Sequence, residues 1–365
     1  MNDFGMSNIS QGDRVVVAMS GGVDSSTAAA LMVELGYEVV GVTLQLYDHG
    51  QATQRKGACC AGQDIMDARR VAENLNIPHY VLDYEDQFRE AVIEDFADSY
   101  LRGETPIPCI RCNQTVKFRD LLAVARDLDG ECLVTGHYVR HKQGADGAEM
   151  HRAADPAKDQ SYFLYATTRD QLNFLRFPLG DLTKSETRCH ANRFNLPVAE
   201  KPDSQDICFV PEGHYTNVVE KLRPDAWKVG NIVDLEGKVI GQHEGVVNFT
   251  IGQRRGLGVA GQYPLYVVKI DPDKNEVVAG PKEALAKKSI TVDAVNWIGP
   301  GAVPPYEQRA EIKIRSNSNS AQGLLRYENE VWTVEFDMPQ MGVAPGQAAV
   351  FYKGNRVLGG GWIQH

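Results

Sequence analysis

The 365-residue chain contains no apolar run approaching the roughly 20 residues that a bilayer-spanning helix requires, which excludes a helical membrane protein. Its opening residues, Met1 to Gln11, are polar and lack the basic and apolar stretches of a secretory signal. Basic residues are in deficit: 38 Lys and Arg against 48 Asp and Glu give a formal net charge of −10. That balance argues against non-specific coating of nucleic acid, but not against a local basic face. There is no internal repeat and no Gly-x-x-x-x-Gly-Lys-Ser loop. No second Cys-x-x-Cys or nearby His pair completes a four-ligand zinc site. With no export signal, the seven cysteines read as reduced thiols of a cytoplasmic protein rather than as a disulfide framework. What remains, 43% hydrophobic and 24% charged, is an ordinary globular composition, and the length suits two or three domains.

The first half alternates strand and helix signals. Val15 to Ala18 is an apolar run followed by a Gly-rich turn, and the spacing predicts a helix from Ser25 to Leu35 that Gly36 stops. Val39 to Thr43 reads as a second strand, Asp64 to Asn76 as a helix ended by Pro78, and His79 to Leu82 as a third strand. Helices over Asp86 to Tyr100 and Asn113 to Leu128 precede a strand at Cys132 to Thr135. Strands separated this way predict an α/β unit with a doubly wound parallel sheet, the loops after its strands lying along one edge. After Pro211 the texture changes to short β-like runs at Gly230 to Leu235, Val246 to Thr250, Tyr266 to Ile270 and Glu276 to Ala279. From Ser289 an alternating pattern, as in Glu311 to Arg315 and Val331 to Phe336, predicts a small antiparallel β-barrel or sandwich. The expected division is 1–211, a small central domain at 212–286, and 287–365.

Ala18-Met19-Ser20-Gly21-Gly22-Val23-Asp24-Ser25-Ser26 joins the first strand to the first helix. Its glycines let backbone approach an anion, Ser25 and Ser26 offer hydroxyls, and the helix start offers free N–H groups and a positive dipole end. Asp24 is a candidate cap or Mg²⁺ ligand. A plain strand–turn–helix would explain an isolated Gly-Gly; the full string in this setting favours a phosphate cradle. Lacking a lysine, it suits pyrophosphate better than transfer of a terminal phosphoryl group. The string resembles the PP-loop of ATP pyrophosphatases, whose members adenylate an oxygen and release pyrophosphate.

Cys109 and Cys112 form a Cys-x-x-Cys at an expected helix start, where the dipole would lower a thiol pKa. Cys208 follows Asp203-Ser204-Gln205-Asp206-Ile207 in a polar stretch that reads as an exposed loop. Cys132, in an apolar strand, and Cys189 suit buried inert thiols. Cys59 and Cys60 are adjacent in a polar loop and carry no evident chemistry. For Cys109, Cys112 and Cys208, zinc binding, inert burial and a redox-active pair stay open, with the first two the weaker.

Further motifs extend the pattern: Cys112-Asn113 with Lys117-Phe118, Thr135 to Tyr138, Lys158 to Leu164, Ser204 to Phe209, and Gly252 to Gly258. Together and in order with Ser20 to Ser26, they resemble the tRNA-specific 2-thiouridylases, which thiolate the wobble uridine of certain anticodons. The resemblance implies a PP-loop domain, a central domain and a C-terminal tRNA-binding barrel. It implies ATP with Mg²⁺, bound by Ala18 to Ser25, Leu44 and Gly136, and tRNA as partner. Cys208 would carry persulfide sulfur supplied by a sulfur-relay or cysteine desulfurase protein, and Cys112 would release the product through a Cys112–Cys208 disulfide that a thiol reductant reopens. His137, Lys158, Asp159, Gln160, Arg315 and Gln347 match tRNA contacts, and Arg254 and Arg255 in a Gly-rich turn suit RNA phosphates. Lys117 is a candidate for phosphate or adenylate charge. Cys109 stands where some family members have aspartate, so an accessory catalytic role and an iron–sulfur cluster on Cys109, Cys112 and Cys208 are both expectations to test. Two other readings compete: a PP-loop ligase acting on a small molecule, and a catalytically silent tRNA-binding protein.

Overall fold

Consecutive valines can all be buried in one strand only if both faces of its sheet are covered. Strand β1 (Arg14–Ala18) meets that condition, because Val15 and Val17 join one apolar core and Val16 joins another. The computed structural model describes residues 4–6, 8–47, 60–203, 207–210, 215–259, 263–301 and 304–365. Cys59, the Cys60 side chain, and Ser204 to Asp206 lie outside them.

Strands β2 (Glu38–Gln45), β3 (His79–Asp83) and β4 (Cys132–Val134) run parallel to β1. The chain then leaves this sheet for a hairpin of β5 (Val139–Gly144) and β6 (Gly147–Arg152) and returns as β7 (Leu175–Arg176). The sheet order is β3-β2-β1-β4-β7, parallel throughout. Helix α1 (Val23–Glu34) buries Ala28 to Met32 on one face, beside Ala68, Val71 and Ala72 of α2 (Cys60–Leu75). The opposite face is covered by α3 (Pro108–Cys112), a widened π turn over Asn113–Asp120, and α4 (Leu121–Asp127), through Phe118, Leu121, Leu122 and Ala125. Helices on both faces make the sheet doubly wound. The helix expected from Asn113 starts earlier, with Pro108 in its first turn, where the missing N–H costs nothing. The helix expected over Asp86 to Tyr100 spans Glu85 to Leu101 and is likewise interrupted by a π turn, Arg89–Glu94.

The central residues form β8 (Gly230–Val233), β9 (Val239–His243), β10 (Tyr266–Asp271) and β11 (Glu276–Gly280), in the order β10-β11-β8-β9. The run Val246 to Thr250, expected as a strand, contains a 3₁₀ turn at Val246–Asn248 instead. Its valines are buried by the turn rather than by pairing: Val246 joins the core of Ile232, Val267 and Val277, and Val247 joins Phe88, Phe96 and Phe209.

Strands β12 (Ala286–Trp297), β13 (Glu307–Lys313), β14 (Ala321–Glu328), β15 (Val331–Met341), β16 (Ala348–Lys353) and β17 (Arg356–Ile363) pair antiparallel. The β12–β17 pairing closes them into a six-stranded barrel, not an open sandwich. In β15 the alternation is literal: Trp332, Val334 and Phe336 point inward, and Thr333 and Glu335 outward. The β5–β6 hairpin, from the first half of the chain, extends this barrel sheet, with β6 pairing β17 at His151 and Arg356. No described helix is long and apolar enough to cross a membrane.

Candidate phosphate cradle and thiol cluster

The loop after β1 is held by its own polar groups. Ser20 N–H donates to Ser25 Oγ at 3.0 Å, and Ser25 Oγ–H donates to the Gly22 carbonyl at 3.3 Å. Gly21 adopts φ +70°, and a Cβ there would collide with the Asp64 carbonyl, so the turn requires glycine. Gly136, after β4, packs so closely that a Cβ would lie 2.7 Å from Ser25 N. Gly22 is the helix N-cap and no side chain caps it. The first N–H groups of α1 have no intrahelical acceptor, and the Ser26 hydroxyl is buried without a partner. An uncapped helix start, an unpaired hydroxyl and two glycines admitting close approach fit the phosphates of ATP.

Asp24 does not act as the cap. Its Oδ1 accepts from Tyr138 Oη at 2.8 Å and from Lys184 Nζ at 2.7 Å, so that oxygen is committed within the protein.

The lysine missing from the loop arrives from far along the chain. Lys184 opens helix α5 (Lys184–Arg193) and bridges Asp24 and Asp203, each at 2.7 Å. Lys201 Nζ donates to the Gly21 carbonyl at 2.9 Å and pairs with Asp64 and Asp67, both at 2.6 Å. Asp203 also meets Lys158 at 2.7 Å and Arg188 at 3.2 Å. Burial would raise the Asp203 pKa, but the Lys158 and Lys184 hydrogen bonds and charges outweigh it and hold the carboxyl down at about 2. The sequence carried only a faint signal for this cluster, Lys184 and Arg188 at helical i,i+4 spacing on α5.

Gly136 leads directly to the thiols. His137 Nδ1 is hydrogen-bonded to Thr135 Oγ1 at 2.8 Å, and its ring meets Phe118 edge-on at 5.8 Å. Burial, aided by the nearby Lys117 charge, pushes its pKa to about 3, so the imidazole is neutral at pH 7. Lys117 also acts on Cys109, Cys112 and Cys208, lowering each thiol pKa against a larger desolvation that raises it. The three cysteines expected to matter are therefore brought together around one ammonium group. Cys112 is buried, whereas Cys109 and Cys208 are exposed. An exposed thiol that is also strongly desolvated lines a cleft rather than a convex surface. Cys208 is pushed up to about 12 by burial and by Cys112 and Cys109, against Lys117 and a hydrogen bond with Tyr47. Phe209 anchors it, edge-on to Phe88 at 5.8 Å and Phe96 at 5.2 Å.

Three expectations about the cysteines change. The helix start was to lower the Cys109 and Cys112 pKa values, yet both are raised, because desolvation outweighs the dipole of a five-residue helix. Cys189 was to be buried and is exposed, while Cys132 is buried as expected. Among the described residues no three His, Cys, Asp or Glu side chains are grouped to hold a metal ion, so the geometry gives the iron–sulfur expectation no support.

The candidate tRNA contacts divide by location. Asp159 points inward, accepting from Ser161 Oγ–H at 2.9 Å and from Ala153 N–H at 3.1 Å. Gln160 Oε1 accepts Tyr138 N–H at 2.8 Å, and Lys158 is held by Asp203. Arg254 and Arg255 are exposed. Arg315 donates to the Gly342 carbonyl and lies beside Gly252, so the basic turn of the central domain meets the barrel there. Gln347 Nε2 donates to the Thr105 carbonyl at 2.8 Å, tying the barrel to the segment that enters α3. Leu44 packs where two cores meet at the end of β2.

Family models match nearly the whole chain: a tRNA methyl transferase HUP domain over residues 13–212, a tRNA methyl transferase PRC-barrel domain over 217–281, and an aminomethyltransferase beta-barrel domain over 287–363. The tRNA-specific 2-thiouridylase MnmA of Rhodospirillum centenum is 59% identical, the alignment covering 100% of this chain and 94% of that protein. The enzyme of the same name from Paracoccus denitrificans is also 59% identical, over 100% of this chain and 95% of the other. Among solved structures, a 4-thiouridine synthetase in complex with RNA and bound ATP matches with TM-score 0.35 at 16% identity, covering 58% of this chain and 51% of that one.

Proposed function

Because this chain belongs to the tRNA-specific 2-thiouridylases and is a tRNA-uridine 2-sulfurtransferase, we propose the following division of labour among its residues. Residues 1–211 bind ATP and carry the chemistry, 212–286 form a central unit, and 287–365 bind tRNA, all in the cytoplasm. Ala18 to Ser25, with Gly136 and Leu44, hold ATP, whose Mg²⁺ arrives with the phosphates. The C2 oxygen of a wobble uridine, splayed out of its stack, attacks the α-phosphorus and pyrophosphate leaves. A Cys208 persulfide, loaded by a sulfur-relay or desulfurase protein, then attacks C2 through its terminal sulfur, and AMP departs with the original oxygen.

The Cys112 thiolate next attacks Cys208 Sγ. The sulfur–sulfur bond to the substrate breaks, its electron pair stays on the sulfur attached to C2, and a Cys112–Cys208 disulfide forms. An external thiol reductant returns both cysteines to thiols. The raised Cys208 pKa supports a persulfide as nucleophile, since the bare thiol is almost wholly protonated near neutral pH and a persulfide is more acidic. Lys117 favours the anionic form of each sulfur around it. Arg254, Arg255, Arg315 and Gln347 contact tRNA from the central unit and barrel, and His137, Lys158 and Gln160 contact it at the catalytic domain, while the inward-facing Asp159 braces that loop from within.

What carries this reading is one adjacency: Gly136 touches the phosphate cradle, and the next residue, His137, shares Lys117 with three thiols. The test is ATP-dependent thiolation of tRNA with a sulfur source. Loss of product is expected for both Cys112→Ala and Cys208→Ala, and wild-type turnover by either variant would overturn the disulfide-release step.

A further inference from the structure

The salt bridges around the cradle do more than neutralise one another. The segment 199–203, which precedes Cys208, is fastened to the Gly-rich loop at two points, Lys201 and Asp203. At Lys201 the ammonium grips the Gly21 carbonyl, the residue whose left-handed backbone shapes the loop. At Asp203 the carboxylate shares Lys184 with Asp24, at 2.7 Å on either side. Arg188 adds hydrogen bonds to the carbonyls of Ala199, at 2.7 Å, and Lys201, at 3.0 Å. Four cations (Lys158, Lys184, Arg188, Lys201) thus face four carboxylates (Asp24, Asp64, Asp67, Asp203), a balance that an incoming polyphosphate must disturb. The Lys184 side chain is only 13% exposed, so its charge is weakly screened and responds to a new anion beside Asp24.

We propose that Lys184 is a positioning residue through which nucleotide occupancy of the loop is transmitted to the Cys208 segment. Phosphates entering at the α1 N-terminus compete with Asp24 and Asp203 for the Lys184 ammonium. Asp203 then loses its tether to the loop while keeping Lys158 and Arg188, and Cys208 becomes more reactive toward reagents in solution. By linkage, the coupling runs equally in the other direction. The inference rests on the cradle binding ATP, but its test needs neither tRNA nor a sulfur donor.

The experiment is site-resolved alkylation of the full chain by iodoacetamide, read by mass spectrometry, with and without a non-hydrolysable ATP analogue and Mg²⁺. The exposed Cys189 serves as internal reference. Nucleotide is expected to speed Cys208 labelling in the wild type by about fivefold or more, the lower edge of ordinary coupling between sites. In Lys184→Met, Cys208 is expected to react at the fast rate throughout, insensitive to nucleotide. Asp203→Asn, nearly isosteric, is expected to behave alike, and Lys184→Arg to restore the response. Direct calorimetry of analogue binding to each protein separates the two levels of the reading. Analogue binding with unchanged or slower Cys208 labelling in the wild type overturns the coupling alone, as does a wild-type response in folded Lys184→Met or Asp203→Asn. Absence of analogue binding to the wild type overturns the ATP assignment and the coupling together.

Discussion

Replacing Gly136 with alanine tests the cradle with a single methyl group. Gly136 does not occupy the left-handed region, so alanine adopts its backbone conformation without strain, and the perturbation is purely steric. The added Cβ would lie 2.7 Å from Ser25 N, 2.8 Å from the Asp24 carbonyl carbon and 3.0 Å from Ser25 Cα, all backbone atoms that cannot rotate aside. Ordinary contact begins at 3.4 Å, so the first turn of α1 must recede by about 0.7 Å, carrying its N–H groups away from the phosphates. A misplacement of 1 Å is worth about 100-fold in rate, so kcat/KM for ATP is expected to fall about 10- to 100-fold. Overpacking of this kind costs about 1–3 kcal/mol of stability, so kinetics must be run well below the variant's melting temperature. Steady-state thiolation at varied ATP supplies kcat/KM, and a filter-binding assay without ATP checks that tRNA affinity is unchanged. A folded Gly136→Ala protein with wild-type kcat/KM for ATP would refute the placement of the phosphates at the α1 N-terminus.

Lys117→Met removes the one cation that lowers all three thiol pKa values, so the alkylation of Cys112 and Cys208 is expected to shift to higher pH; unchanged pH profiles would deny Lys117 that role. Asp203 has a folded pKa of about 2 against an ordinary 3.8, so its stabilising contribution is complete above about pH 4 and fades as pH falls toward 2. Asp203→Asn is therefore expected to cost on the order of 2 kcal/mol at neutral pH in urea melts, a gap that narrows in acid; a pH-independent gap would contradict this. Arg254→Ala and Arg255→Ala are each expected to weaken tRNA binding and lower the salt slope by about one, if each neutralises a phosphate. Equal slopes for variant and wild type would place these arginines off the RNA.

Much of the fold was legible where burial and periodicity agree. The valines of β1 required two covered faces, and the alternation of β15 announced a sheet with one apolar side. The shape of the loop after β1 was legible because its signals are local: two glycines and a helix start lie within nine residues. The remainder depended on partners that the local sequence does not contain. Val246 and Val247 have the composition of a strand but reach two different cores by a 3₁₀ turn. The π turns before and after α3 alter the helical phase without leaving a compositional mark. Lys184 and Lys201 reach Asp24 and Gly21 across some 160 and 180 positions, and as isolated lysines they read as solvated. The thiol pKa values went the other way from expectation for a reason of magnitude. A helix dipole supplies about 0.3–1 kcal/mol at its end, whereas full desolvation is able to move a pKa by up to about 3–5 units.

The hairpin that crosses from the first half of the chain to the barrel also imposes an order on synthesis. β6 is made long before β17, the strand it pairs, so the nascent first half of the chain carries an open sheet edge until β17 emerges. That edge is polar and carries charge: Glu149 and Arg152 lie along it with His151 between them, residues that discourage pairing with another chain. Once β17 arrives, Glu149 meets Arg356 at 2.7 Å, so a charge that guards the unfinished protein becomes an ion pair across the completed junction. A ribosome stalled before β17 would release a domain whose own sheet is whole but whose hairpin is unpartnered, and whose barrel lacks the strand that closes it.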